Sequence, residues 1–127
     1  MKNGSPVVWF EIYTDDLQRA RKFYETVLQV ELTELPSPIS DKLQMLAFPN
    51  NMEAHGTSGA LAKMEGVKAG NNSTLVYFSS EDCSIEEARI ERAGGNVVTP
   101  KTSIGENGFM VIATDTEGNT FGIHSMK

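Results

Sequence analysis

The feature that most constrains how this chain can fold is internal repetition. The segment HGTSGALAKM, from residue 55 to 64, echoes EGNTFGIHSM, from 117 to 126. A constant offset places Gly56 on Gly118, Ala60 on Gly122, Leu61 on Ile123 and Met64 on Met126. The halves also begin alike, VWFEIYTDD (Val8 to Asp16) answering TLVYFSSED (Thr74 to Asp82), each leading into a helix-like stretch. A repeat of roughly 60 to 67 residues exceeds the usual solenoid unit of about 20 to 50. It points instead to two copies of a small α+β module folded against each other, with a ligand site expected at or near their join.

Each copy reads as βαβββ. Val7 to Tyr13 is strand-like, with Val8, Phe10 and Ile12 in an apolar row and Trp9, Glu11 and Tyr13 in a row that mixes bulk with polarity. The first row should pack on helices and the second should line something wetter. Asp15 and Asp16 supply a helix cap, and Leu17, Ala20, Phe23, Tyr24, Val27 and Leu28 then recur at helical spacing. Strands are expected over 30–35, 42–48 and 58–64. Gly66 to Ser73 is the linker between a module at about 6–65 and another at about 74–126. In the second module a strand over 74–79 precedes a helix that Ser84-Ile85-Glu86-Glu87 should open as a capping box and Gly94-Gly95 should stop. Strands are expected at 96–99, 109–114 and 119–125, with the glycine-bearing loop 100–108 as a candidate lid carrying Lys101 and Glu106.

The balance of charge narrows the partners. A net charge of −6 with no basic run argues against nucleic acid and anionic membrane. Apolar stretches are strand-sized, so no membrane span is expected. Residues 1–5 are polar and run straight into a strand, which leaves no room for a signal peptide and makes a cytoplasmic setting the expectation. Cys83 is the one cysteine, so neither a disulfide framework nor a cysteine metal cluster is available.

Three segments carry a family resemblance: DLQRARKFYE (Asp16 to Glu25), AGG (Ala93 to Gly95) and DTEGN (Asp115 to Asn119). In this order and spacing the chain resembles the vicinal oxygen chelate superfamily, which includes glyoxalase I, extradiol dioxygenases, fosfomycin resistance proteins and bleomycin-binding proteins. The opening WFEI and closing GIHS are most similar to short glyoxalase-related bacterial proteins. The resemblance implies that each module curls its sheet into a half-cup with helices outside, and that enzymatic members hold a metal at four inward strand positions. Here those positions hold Trp9, Ala60, Leu75 and Gly122, none of which binds a metal ion. No metal and no cofactor is therefore expected. Only relocated ligands, Glu11 and His124, would rescue a metal-dependent lyase or dioxygenase.

Glu11 is the sharpest catalytic candidate, because burial in mid-strand raises a carboxyl pKa and makes it a plausible general base. His124 is its expected acid–base partner if Thr120, Gly122 and His124 face the cup; the alternative is a solvated residue near the carboxyl end. Trp9, Tyr13, Tyr77 and Lys101 are the expected ligand-binding residues, the aromatics by packing against a planar ligand and by offering polar tips. His55 reads as a surface residue and Cys83 as an inert, partly buried one. The leading expectation is a metal-independent small-molecule protein or enzyme acting next to a carbonyl, with Glu11 as base and a Tyr or His holding the oxyanion. A bleomycin-resistance-like binding protein is the alternative. A homodimer is expected, since half-open sheets cover their edges that way.

Overall fold

The computed structural model describes residues 3–37, 42–54, 56–70, 73–116 and 118–127; His55, Asn71, Asn72 and Glu117 lie outside them. In chain order the elements are β1 (Val7–Tyr13), α1 (Leu17–Leu28), β2 (Thr33–Leu35), β3 (Leu43–Ala47), β4 (Gly59–Met64), β5 (Thr74–Ser79), α2 (Cys83–Ile90), β6 (Asn96–Ser103), a 3₁₀ turn (Gly105–Asn107), β7 (Phe109–Thr114) and β8 (Thr120–Ser125). The fold is α+β, and βαβββ occurs twice. By compactness the chain divides into a first unit, Trp9–Thr74, and a second, Leu75–Lys127 with Met1–Val8.

In the first unit the strand order is β2-β3-β4-β1, with β4 parallel to β1 and the other pairs antiparallel. One sheet face packs on α1 through Leu17, Leu32, Leu46 and Leu61, with Ile12, Ala20, Tyr24 and Phe48 around them. Each fully buried leucine contributes on the order of 1.5–3 kcal/mol. A polar clip ties α1 to the chain that follows it: the Leu32 N–H donates to Glu25 and Arg21 donates to the Leu32 carbonyl. In the second unit the order is β5-β8-β7-β6, with β5 parallel to β8. Its core is Cys83, Ile90, Val111, Ala113 and Ile123 against α2.

The sequence repeat reappears as register. Glu11 lies beside Ala60 across the β1–β4 pair, and Tyr77 lies beside Gly122 across β5–β8. These are the positions that the internal alignment equates. Asp16 and Asp82 both cap their helices, accepting from the N–H of Arg19 and Ser84 at 3.0 Å each. Gly56 and Gly118 both take positive φ, 104° and 83°.

Several expectations need correction. The second helix is capped by Asp82, not opened by a Ser84 box; the Ser84 hydroxyl instead donates to the Asp82 carboxylate. On α1, Phe23, Val27 and Leu28 are exposed (58, 59 and 53%). Leu17, Ala20 and Tyr24 already span the stripe the sheet covers, leaving Phe23 and Val27 on its flank and Leu28 in the last turn. The expected lid is largely regular structure, because β6 runs through Pro100 to Ser103 and a 3₁₀ turn follows at Gly105–Asn107. Pro100 is tolerated there because β6 is the edge strand of its unit, and the β6–β7 register slips on either side of Thr99. Cys83 is fully buried, and its N–H donates to the Ser125 hydroxyl at 3.0 Å.

Candidate functional site

Alternation along β1 puts Trp9, Glu11 and Tyr13 on the sheet face turned away from α1. Their neighbours on β4 and β3 are Ala60, Ala62, Met45 and Ala47, all apolar and mostly small. Glu11 is only 7% exposed. The Tyr13 hydroxyl donates to Glu11 Oε1 at 2.8 Å, and the Trp9 indole Nε1–H donates to Oε2 at 3.2 Å. Loss of water pushes the Glu11 carboxyl above the usual carboxylate range, and the two donors offset this only in part. Burial likewise pushes the Tyr13 phenol up, reinforced by the charge and hydrogen bond of Glu11, so its hydroxyl stays protonated. Its single proton is directed at Glu11, which leaves Tyr13 no free donor for a substrate oxyanion in this arrangement.

Tyr77, Lys101 and His124 belong to the second unit. Tyr77 packs its ring over Gly122, where an added Cβ would meet ring carbon at 2.3 Å. His124 shares that sheet face and is partly buried on β8, not frayed; its Nε2 lies 2.6 Å from the Asn107 carbonyl oxygen, so Nε2 carries the proton and donates. Lys101 sits on the opposite, helix-bearing face. Its ammonium pairs with Asp82 at 2.9 Å and lies 4.7 Å over the Phe109 ring, while its backbone N–H donates to Glu87. The Lys101 side chain is thereby committed to anchoring α2, on the face away from Tyr77 and His124.

A profile of the glyoxalase/bleomycin resistance protein/dioxygenase superfamily matches residues 7–123. The chain belongs to this superfamily. No curated protein matches it in sequence. Among solved structures, a Streptomyces coelicolor methylmalonyl-CoA epimerase variant in complex with 2-nitronate-propionyl-CoA is similar at 13% identity and TM-score 0.67, covering 95% of this chain and 96% of that one. A hypothetical protein from Bacillus halodurans superposes at TM-score 0.71 with 8% identity, over 95% and 94% of the two chains. A Legionella pneumophila structure described as an NAD-dependent benzaldehyde dehydrogenase is 16% identical at TM-score 0.58, over 94% of this chain and 98% of that one. At such identities the likeness is one of fold.

The metal of the enzymatic superfamily members does not fit the residues present. Of the four corresponding positions, Ala60 and Gly122 carry no donor atom, Leu75 is aliphatic, and Trp9 offers an N–H that is spent on Glu11. Both Glu11 oxygens face hydrogen-bond donors that a cation would have to displace. Among the described residues, no group of three or more His, Cys, Asp or Glu stands close enough to hold an ion.

Proposed function

We propose that this protein handles a small molecule through Glu11 without a metal, acting as a general base on a proton next to a carbonyl. One observation carries the reading. Glu11 is buried, yet its only hydrogen-bond partners among the described residues are Trp9 and Tyr13, two positions away on its own strand. A structural carboxylate repays its desolvation by tying elements together or pairing with a cation; Glu11 does neither. Held above the usual carboxylate range by burial and shielded from water, it suits proton transfer. In the step proposed, the C–H bond breaks, the proton moves to Glu11, and the electron pair moves onto the carbonyl oxygen. Return of a proton to the opposite face of that carbon yields an epimer, and return to a different carbon yields an isomer. The shared fold of methylmalonyl-CoA epimerase, solved with acyl-CoA compounds, supports a carbonyl substrate.

The test begins with a thermal-shift screen of small carbonyl compounds and thioesters, followed by NMR detection of solvent deuterium entering the compounds that bind. Wild type should catalyse exchange, and Glu11→Gln should reduce it by about 100-fold or more while retaining binding. Binding without exchange would overturn the base reading. It would leave the second reading, a sequestering protein, which the same uncompensated carboxylate favours for a cationic ligand. A homodimer and a cytoplasmic setting are part of this proposal; the exposed Phe23 and Val27 support self-association, which sedimentation velocity measures. No helix among the described residues is long and apolar enough to cross a membrane.

A further inference from the structure

We infer that Tyr13 and Trp9 are positioning residues for Glu11: the phenol clamps Oε1, the indole braces Oε2, and together they set Oε2 as the oxygen that takes the proton. The inference rests on Glu11 being the acting base. All three side chains project from one strand at alternate positions, so their adjacency is fixed by backbone geometry and needs no loop. The Tyr13 bond, at 2.8 Å, has the usual O–H···O length, whereas the Trp9 contact at 3.2 Å is at the long end for N–H···O. Oε1 is therefore the better-stabilised oxygen and Oε2 the more basic one. Beside them β4 presents only Ala60 and Ala62, which offer no side-chain donor and no charge. Among the described residues, Tyr13 is the one titratable side chain that acts on this carboxyl.

The clamp has a consequence independent of any substrate. Without the Tyr13 hydroxyl, Oε1 is buried with no donor, and ionisation of Glu11 becomes harder. Carboxyl ¹³C NMR on the full chain, with Glu11 assigned through Glu11→Gln, reads this directly. Tyr13→Phe should move the Glu11 midpoint upward by about one pH unit or more, and Trp9→Phe should move it upward by less. A midpoint unchanged or lowered in Tyr13→Phe overturns the inference. Should that variant not fold by circular dichroism, the wild type still decides. Trp9 is the chain's one tryptophan, so its emission should titrate with the Glu11 midpoint and go flat in Glu11→Gln. A flat wild-type profile overturns the brace. Failure of deuterium exchange alongside a shifted midpoint would remove the base reading and leave the clamp geometry standing, so the two failures are distinguishable.

Discussion

Glu11 in the first unit and Asp82 in the second are acids with opposite circumstances. Asp82 accepts from the Ser84 N–H and hydroxyl and from Lys101, and these partners hold its carboxyl well below the usual range. It joins β6 to the start of α2. Glu11 is withdrawn from water, joins nothing, and is pushed the other way. The difference teaches where to look for chemistry in a duplicated fold. Both copies employ an aspartate to cap a helix, but only the first also keeps, in Glu11, an acid that contributes no tertiary link and is costly to ionise.

The sharpest way to break the comparison is to overpack equivalent strands. In β4 an added Cβ at Gly59 would meet the Phe10 backbone oxygen at 2.3 Å, whereas in β8 at Gly122 it would meet only the Tyr77 ring. Gly59→Ala should destabilise by about 3 kcal/mol and Gly122→Ala by about 1–2 kcal/mol, read by urea denaturation; a reversed order would show that the ring, not the backbone, is the harder obstacle. The helix ends come next. Gln29 closes α1 at φ 55°, a left-handed conformation, while Gly94 takes positive φ where the second helix ends. Gln29→Gly should therefore stabilise by about 1 kcal/mol.

The two acids also differ in their response to pH. Because the folded Glu11 carboxyl has the higher pKa, the native state binds more protons than the unfolded chain just above the ordinary carboxylate range. Its contribution to stability is then lost as pH rises through that window. Glu11→Gln should flatten this decline in Tm between mildly acid and neutral pH. Asp82 has the reverse sign: its contribution is present above its unfolded pKa and fades as pH falls below it. Asp82→Asn should produce the smallest change, a slight drop in neutral-pH Tm and a weaker acid dependence.

Much of this architecture is legible in the amino-acid order. The repeat foretells two βαβββ modules, and the positions it equates, Glu11 with Tyr77 and Ala60 with Gly122, meet as parallel pairs in each. Alternation places Trp9, Glu11 and Tyr13 in one row. What stays hidden depends on contacts distant in sequence or on how far a sheet extends. Lys101 reaching back to Asp82 ties β6 to the start of α2, and periodicity gives the direction of the α1 stripe but not the width of the surface beneath it. Pro100 reads as a strand breaker unless it is known that β6 is an edge. The commitment of Tyr13's proton to Glu11 follows from a 2.8 Å approach that no residue pattern encodes.

The seating of Tyr77 over Gly122 closes residue 122 to any larger side chain. An imidazole introduced at residue 122 has nowhere to stand until the phenol ring withdraws, and a smaller residue at 77 gains nothing while 122 stays bare. A larger side chain at 122 thus requires a prior change at 77, so the two positions can vary only in a fixed order, a ratchet built from a single aromatic ring.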